Sequence, residues 1–320
     1  MRLQAPASEA NGTFSAAMRR ECAAPGMNNK IHFISGLPRS GSTLLSAILR
    51  QNPRFHAGMT SPVGAFVTGL LDQVSAGSEF GPVVTTAQRQ RLLRGLFASF
   101  YADKPEGGVI FDTNRIWSAR LPAVCDLFPD AKVIACVRNV AWVMDSIERL
   151  YRANPYENTR LFGDAVERNT VYSRVETLAQ RNRLVGFAWT AIKEAFYSEQ
   201  AGSLLVVDYD LLANAPDKVL PLVYQFIGEP WFEGHDFGRV AFDAPEFDMA
   251  LGVAGLHKVR PEVSLKPRRT VLPPDLFAQY AHMNFWHDGA NSRASVITAR
   301  PAGLSTGAET PSLPMQDKAP

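Results

Sequence analysis

The chain has 320 residues, of which 46% are hydrophobic and 20% are charged, and these values are ordinary for a soluble globular enzyme. Lys and Arg total 33 against 31 for Asp and Glu, and this near-balance argues against a polybasic nucleic-acid binder. No apolar run approaches the roughly 20 residues that a membrane-spanning helix needs. We therefore expect no nucleic-acid partner and no membrane span.

The cysteines and the chain ends predict a location and a domain plan. The three cysteines form no CxxC pair, so neither a disulfide framework nor a zinc site is expected. Cys125 and Cys136 lie in apolar contexts, which favours a reducing compartment, and the predicted location is cytoplasmic. Small and polar residues dominate 1–27 and 294–320, which predicts flexible tails on either side of one α/β domain at 28–293.

Strand-like and helix-like segments alternate between the predicted tails. Short apolar, β-branched runs predict strands at 30–35, 109–111, 131–137 and 203–207. Apolar residues at helical spacing predict helices at 42–51, 63–74, 86–101, 118–128, 140–151, 171–199 (bent at Gly186) and 217–227. Strands separated by helices predict a parallel sheet flanked by helices on both faces, with ligands at the carboxyl ends of its strands.

The loop at 36–43 reads Gly-Leu-Pro-Arg-Ser-Gly-Ser-Thr and joins the first strand to the first helix. Its spacing is that of a nucleotide P-loop, although Ser42 occupies the lysine position. The fold class is therefore a P-loop-type α/β sheet. Gly36 and Gly41 permit turns that aim N–H groups at an anion, and the helix adds its N-terminal dipole. Arg39 is the replacement cation, because a guanidinium binds two oxygens of one phosphate or sulfate.

The loop also offers hydroxyl donors, on Ser40, Ser42 and Thr43. Two other interpretations stay open from the residues alone. One is a turn without a ligand. The other is a conventional kinase or NTPase, which would need the absent lysine and a Walker-B aspartate, with Asp112 and Asp208 as candidates at strand ends.

A second anion site is predicted where the third strand ends. Arg138 follows the strand directly, and Ser146 lies eight residues later in the next helix. A turn at Asn139 brings the two side chains to one anion, at the edge where such sheets bind ligands. Two separate phosphate sites indicate a nucleotide that carries phosphates at both ends.

The two motifs together resemble those of sulfotransferases that use 3′-phosphoadenosine 5′-phosphosulfate (PAPS). The loop that begins at Pro38 is similar to the family's 5′-phosphosulfate loop. Its sequence is closest to those of the tyrosylprotein and trehalose sulfotransferase branches. The strand ending in Arg138, with Ser146 beyond it, is similar to the family's 3′-phosphate site. The resemblance implies transfer of a sulfuryl group from PAPS, a nucleotide co-substrate, to an acceptor hydroxyl or amine, with no metal.

The resemblance also implies roles for single residues. Arg115 corresponds to a cation that lies near the sulfate's bridging oxygen in the family. Tyr209 and Asp210 correspond to a pair that helps to form the adenine pocket. Lys258 and Arg269 belong to basic segments, 257–260 and 268–269, that close over the nucleotide in the family. The phosphate-binding residues carried over from the two motifs are Pro38, Arg39, Ser40, Gly41, Ser42, Thr43, Arg138 and Ser146.

The sequence departs from the family at the general base. The tyrosylprotein and trehalose branches place a Glu about twenty residues beyond the loop arginine, where 57–62 holds no carboxylate. The cytosolic branch uses a His just after the second strand, where this chain has Asp112. We therefore expect Asp112, facing the crevice beside Arg115, to be the base, with His56 and His257 as the next candidates.

Two other functions compete with a sulfotransferase. A P-loop kinase or NTPase that lacks its lysine would bind ATP with Mg²⁺, and a non-catalytic scaffold would bind a nucleotide without turnover. The acceptor stays open among peptides, sugars, lipids and small molecules.

Overall fold

The computed structural model describes residues 29–154, 156, 158–240, 242–250, 252–259, 268–289 and 291–298. The predicted N-terminal tail lies outside these residues, as do Arg260 and most of the predicted C-terminal tail.

The described strands form one six-stranded sheet in the order β2-β3-β1-β4-β5-β6, and every pairing in it is parallel. The strands are β1 Lys30–Gly36, β2 Phe55–Ala57, β3 Val109–Thr113, β4 Val133–Val137, β5 Leu204–Asp208 and β6 Ser295–Ile297. Because β1 lies between β3 and β4, the carboxyl ends of these three strands meet at one edge of the sheet.

The α-helices among the described residues connect and cover these strands. They are α1 Ser42–Leu49, α2 Val63–Val74, α3 Thr86–Phe100, α4 Ile116–Ala119, α5 Leu121–Leu127, α6 Val140–Ala153, α7 Ala165–Arg168, α8 Val171–Ala179, α9 Leu184–Phe196, α10 Tyr209–Asn214, α11 Pro216–Ile227, α12 Pro245–Ala250 and α13 Pro274–Ala281. Short 3₁₀ turns occupy Gly81–Val83, Glu199–Ser203 and Phe285–His287.

The sheet has a separate hydrophobic core on each face. Successive strand residues point to opposite faces, so Phe33 packs in one core while Ile34 packs in the other. The first core includes residues of α3 and α9, and the second includes residues of α1 and α11. The predicted fold class, a P-loop-type parallel sheet flanked by helices on both faces, is confirmed.

The long helix predicted at 171–199 is instead two helices, α8 and α9, and the break lies before Gly186 rather than at it. A Cβ on Gly186 would lie 2.2 Å from the carbonyl oxygens of Ala179 and Gln180. The glycine therefore permits close packing of α9 against the turn that precedes it.

The sequence analysis missed both edge strands. β2 and β6 have three residues each, which is too short for a periodic pattern to show. β6 pairs with β5, and it lies in the segment predicted as the C-terminal tail. The predicted tail boundary at residue 294 is therefore wrong, because the sheet continues to Ile297.

Candidate functional site

A cavity of about 370 Å³ opens at the carboxyl edge of the sheet, beside the loop between β1 and α1. Its cationic lining residues are Arg39, Arg115, Arg138, Lys258 and Arg268. None of the described residues that line it is an aspartate or a glutamate. Because the described side chains that face the cavity include cations and no carboxylate, the cavity favours a ligand with several negative charges.

The loop backbone depends on its two glycines. Gly36 has φ 143° and Gly41 has φ 93°, values that L side chains rarely adopt. A Cβ on Gly36 would lie 2.3 Å from the carbonyl oxygen of Cys136, and one on Gly41 would lie 2.7 Å from the ring of Tyr209. No side chain caps α1 at Gly41, and Ser42 lines the cavity at the start of the helix.

Thr43 and Pro38 line the cavity as predicted, but Ser40 does not. The Ser40 side chain is fully buried, and its hydroxyl lies 2.6 Å from the Leu37 carbonyl oxygen and 2.7 Å from that of Cys136. The hydroxyl has a single proton, which it donates to these backbone carbonyl oxygens. The expectation that the Ser40 hydroxyl donates to the anion is therefore wrong, and this hydroxyl instead ties the loop to β4.

Arg39 links the two predicted anion sites. Its Nε donates to Ser146 Oγ at 3.1 Å, and its Nη1 donates to the Leu256 carbonyl oxygen. Its backbone is left-handed, with φ 60°, which costs a non-glycine residue roughly 1–2 kcal/mol. Burial lowers the pKa of Arg39, and the guanidiniums of Arg138 and Arg268 act in the same direction. A bound anion would offset this repulsion.

Arg138 lies over the ring of Tyr209, with its guanidinium carbon 4.4 Å from the ring centroid. Its Nε is buried and has no hydrogen-bond partner within the described part of the chain. The nearest carboxylate oxygen, on Asp210, is 3.7 Å away, beyond hydrogen-bond distance. Because unsatisfied buried donors are rare, this orphan points to a ligand oxygen. Ser146 and Tyr209 line the same cavity.

Arg115 enters the cavity just after β3, as predicted. Burial lowers the pKa of Arg115. Its guanidinium forms neither a hydrogen bond nor an ion pair with another residue that the structure describes, whereas its backbone carbonyl accepts from Ser35 Oγ at 3.0 Å. This hydrogen bond fixes the backbone of Arg115 at the cavity, and its charge is available to a ligand.

The C-terminal cations are Lys258 and Arg268, and Arg269 does not line the cavity. The Arg269 backbone carbonyl accepts from Arg149 instead. The expectation for Arg269 was therefore wrong by one position, because the ion pair with Asp145 brings Arg268 to the cavity. Lys258 lies 3.6 Å from Asp243 in an exposed ion pair.

Asp145 fixes the position of Arg268. The aspartate is fully buried, and its Oδ2 lies 2.7 Å from Arg268 Nη2. It also accepts from Thr270 Oγ1 at 3.0 Å and from the Val271 amide at 2.7 Å. One carboxylate on α6, next to Ser146, therefore anchors the whole segment that brings Arg268 to the cavity. The sequence analysis included Arg268 in the basic segment 268–269 but did not single out Asp145.

Asp112 does not face the crevice, and that expectation is wrong. It is fully buried and accepts hydrogen bonds from Ser61 Oγ at 2.7 Å, Tyr101 OH at 2.5 Å and Trp117 Nε1 at 2.7 Å. Residues along a strand alternate between faces, and Asp112 points to the same face as Ile110 while Thr113 reaches the cavity. Burial raises the pKa of Asp112, and the three hydrogen bonds oppose that shift.

Of the two histidine candidates, His257 lines this cavity and His56 lines a different one. The Nδ1 of His257 lies 2.6 Å from Asp248 Oδ1, and its backbone amide donates to Asp248 Oδ2 at 3.0 Å. Asp248 is fully buried, so the histidine ring is held by a fixed carboxylate.

Within the described ranges, no helix is long and apolar enough to cross a membrane. The predicted cytoplasmic location stays a prediction.

A family model described as "Sulfotransferase family" matches residues 32–233, more than half of the chain. The chain therefore belongs to the sulfotransferase family and is an enzyme of that class, as the loop and strand motifs predicted. No curated protein sequence matches the chain.

Solved sulfotransferase structures resemble the chain at low identity. The sulfotransferase domain of the Synechococcus PCC 7002 olefin synthase is 20% identical, with a TM-score of 0.45, over 81% of this chain and 96% of its own. Sulfotransferase from Alicyclobacillus acidocaldarius is 14% identical, with a TM-score of 0.45, over 81% and 94%. Mouse sulfotransferase SULT7A1, complexed with PAP, is 14% identical, with a TM-score of 0.44, over 81% and 84%.

Proposed function

We propose that this sulfotransferase transfers the sulfuryl group of PAPS to an acceptor hydroxyl or amine. The observation that carries the proposal is the cavity beside the phosphate loop, whose described lining includes five cationic side chains and no carboxylate. PAPS carries its activated sulfuryl group on the 5′-phosphate and has a second phosphate at the 3′ position. The cationic side chains of the cavity match these two negatively charged parts of the nucleotide.

Two parts of the cavity receive the two ends of the nucleotide. The amides at the start of α1, with the hydroxyls of Ser42 and Thr43, bind the 5′-phosphate. Arg138 and Arg268 bind the 3′-phosphate, and the unpaired Nε of Arg138 supports this assignment. The Tyr209 ring packs beside the adenosine.

Arg39 and Arg115 stabilise the charge that develops on the oxygen between sulfur and the 5′-phosphate. Fixed cations aimed at developing charge lower the barrier because they need no reorganisation during the reaction. His257 takes the proton of the acceptor, since it is the histidine that lines this cavity and Asp248 holds its ring. The enzyme thus acts by positioning and charge stabilisation.

The geometry gives less support to a Mg²⁺-dependent kinase or NTPase. Both Walker-B candidates are engaged elsewhere, because Asp112 is enclosed by three donors and Asp208 accepts from the Asp210 amide at 2.8 Å at the start of α10. Mg²⁺ sites normally include a carboxylate, and none lines the cavity among the described residues.

Ligand binding tests the nucleotide assignment. Adenosine 3′,5′-bisphosphate, without Mg²⁺, is expected to raise the melting temperature, because a ligand at 100 Kd stabilises the native state by about 2.7 kcal/mol. A larger shift with Mg-ATP than with the bisphosphate would overturn the proposal. A bisphosphate shift without sulfuryl transfer from PAPS to any of a panel of phenols, alcohols, sugars and amines would favour the scaffold.

Asp112→Asn is expected to lower stability without removing catalysis. An asparagine NH₂ cannot accept a hydrogen bond, so the three donors that now bond to the carboxylate would no longer all be satisfied, and a broken buried hydrogen bond costs about 1–3 kcal/mol. The free energy of unfolding, from urea denaturation, should fall by that amount. Turnover per folded molecule should stay within about threefold. A drop of 10²-fold or more in the folded enzyme would restore Asp112 as the base, because acid–base catalysis contributes about 10²- to 10⁴-fold.

Asp145→Asn is expected to weaken bisphosphate binding, because it removes the charge that holds Arg268. The affinity should fall about tenfold, as hydrogen bonds to charged groups contribute roughly 1.5–3 kcal/mol. Calorimetry would measure the affinity for the bisphosphate. Glu148→Gln is the matched control, because Glu148 lies in the same helix and pairs with Arg152 and Arg174 away from the cavity. Equal losses of affinity in both variants would mean a general disturbance of α6.

A further inference from the structure

A second cavity, of about 420 Å³, lies on the β2 side of the first. The two share Thr113, at the end of β3. The segment 58–62 separates them, since Thr60 lines the first cavity while Met59 and Ser61 line the second. A molecule in the second cavity would therefore lie next to the site assigned to the sulfuryl donor. Its volume falls in the range of small-molecule pockets, about 300–1,000 Å³.

The charged side chains that line this cavity are cationic. They are Arg50 and Lys104; His56 also lines the cavity, and the described lining includes no aspartate or glutamate. The guanidinium carbon of Arg50 lies 5.5 Å from the ring centroid of Phe242, which orients the side chain. Lys104 lies 2.6 Å from Asp103 in an exposed pair. Such surface pairs contribute little, so a ligand anion can compete for the ammonium group.

The rest of the lining is apolar, with two fixed hydroxyls. The apolar and aromatic side chains are Phe55, Ala57, Met59, Pro62, Phe100 and Phe111. The hydroxyls of Ser61 and Tyr101 both donate to buried Asp112. Their protons are therefore used inside the protein, and this wall is held rigidly by the same carboxylate that the sequence had suggested as the base.

We propose that the second cavity binds the acceptor, and that the acceptor is a small molecule with an apolar or aromatic body and a carboxylate. Its carboxylate contacts Arg50 and Lys104, its body packs against the phenylalanines, and its hydroxyl or amine points past Thr113 into the first cavity. This inference rests on the proposed function, because the cavity is an acceptor site only if the first one holds the sulfuryl donor.

Binding of a matched pair of probes tests the acceptor class. The probes are 4-hydroxyphenylacetate and its methyl ester, which share the phenol and differ at one end, where a methyl ester replaces the charged carboxylate. Calorimetry is done with the full chain, once alone and once saturated with adenosine 3′,5′-bisphosphate. We expect the acid to bind at least 10-fold more tightly than the ester in both conditions. Equal affinities, or no binding of either probe, would overturn the proposal.

The variants Arg50→Gln and Lys104→Gln test whether these two side chains cause the preference for the acid over the ester. Each is expected to reduce the preference for the acid to about threefold or less while the bisphosphate affinity stays unchanged. Arg91→Gln is the control, because Arg91 is an exposed arginine of α3 outside both cavities. An undiminished preference in the first two variants would show that the acid binds elsewhere and would overturn the assignment.

The two proposals fail in different ways. Loss of the bisphosphate response in the unmodified enzyme contradicts the nucleotide site and, with it, the role of the second cavity as an acceptor site, whatever the acid and ester show without nucleotide. A normal bisphosphate response with no preference for the acid contradicts only the acceptor class.

Discussion

Arg39→Ala is expected to lower sulfuryl transfer by about 10²- to 10³-fold, the usual loss when one fixed donor to developing charge is removed. The side chain reaches the cavity from a loop and makes its bonds to Ser146 and to the Leu256 carbonyl, so its loss leaves both sheet cores intact. Single-turnover kinetics with PAPS would measure the chemical step, and circular dichroism would check the fold.

Arg91→Ala provides the control for this experiment, because it removes one arginine from the surface of α3 and touches neither cavity. Its rate should match that of the unmodified enzyme. If folded Arg39→Ala also kept its rate within about threefold, Arg39 would have no part in stabilising the leaving oxygen.

Arg138→Ala is expected to weaken binding of adenosine 3′,5′-bisphosphate by about 10- to 100-fold, because hydrogen bonds to charged groups contribute roughly 1.5–3 kcal/mol. Binding of adenosine 5′-phosphosulfate, which has no 3′-phosphate, should change by less than threefold. Competition calorimetry would compare the two ligands. Circular dichroism would check the fold, because the substitution also removes the contact of Arg138 with the Tyr209 ring and its 3.7 Å approach to Asp210.

An equal loss for the two nucleotides would place Arg138 at the other phosphate or in a structural role. The comparison therefore separates the two ends of the site without assuming an acceptor.

The sheet, its helices and the phosphate loop followed from local patterns in the sequence. Gly36 and Gly41 were predictable because a phosphate loop needs backbone turns that few other residues adopt, and both have positive φ. Arg138 was predictable because it comes directly after a strand, and the strand ends of a parallel sheet meet at one edge. Arg115 was expected only from the resemblance to the sulfotransferase family.

The errors concern side-chain direction and distant contacts. Asp112 is one residue from the strand end, so the alternation of the strand turns it into the core, where Trp117 and Tyr101 enclose it. Choosing Arg268 over Arg269 depends on Asp145, more than a hundred residues earlier in the chain. A contact between residues so far apart in the chain cannot be predicted from a local sequence pattern.

The hydrogen bond between Arg39 Nε and Ser146 Oγ, 3.1 Å long, is expected to make the two ends of the proposed nucleotide site thermodynamically dependent on each other. Substitutions at residues in contact do not add, and their interaction energies reach roughly 0.5–3 kcal/mol. Removing the Ser146 hydroxyl releases the loop arginine as well as a donor to the 3′-phosphate. The Ser146→Ala and Arg39→Ala effects therefore belong to one linked unit, and a double-mutant cycle between these two positions would measure the size of that linkage.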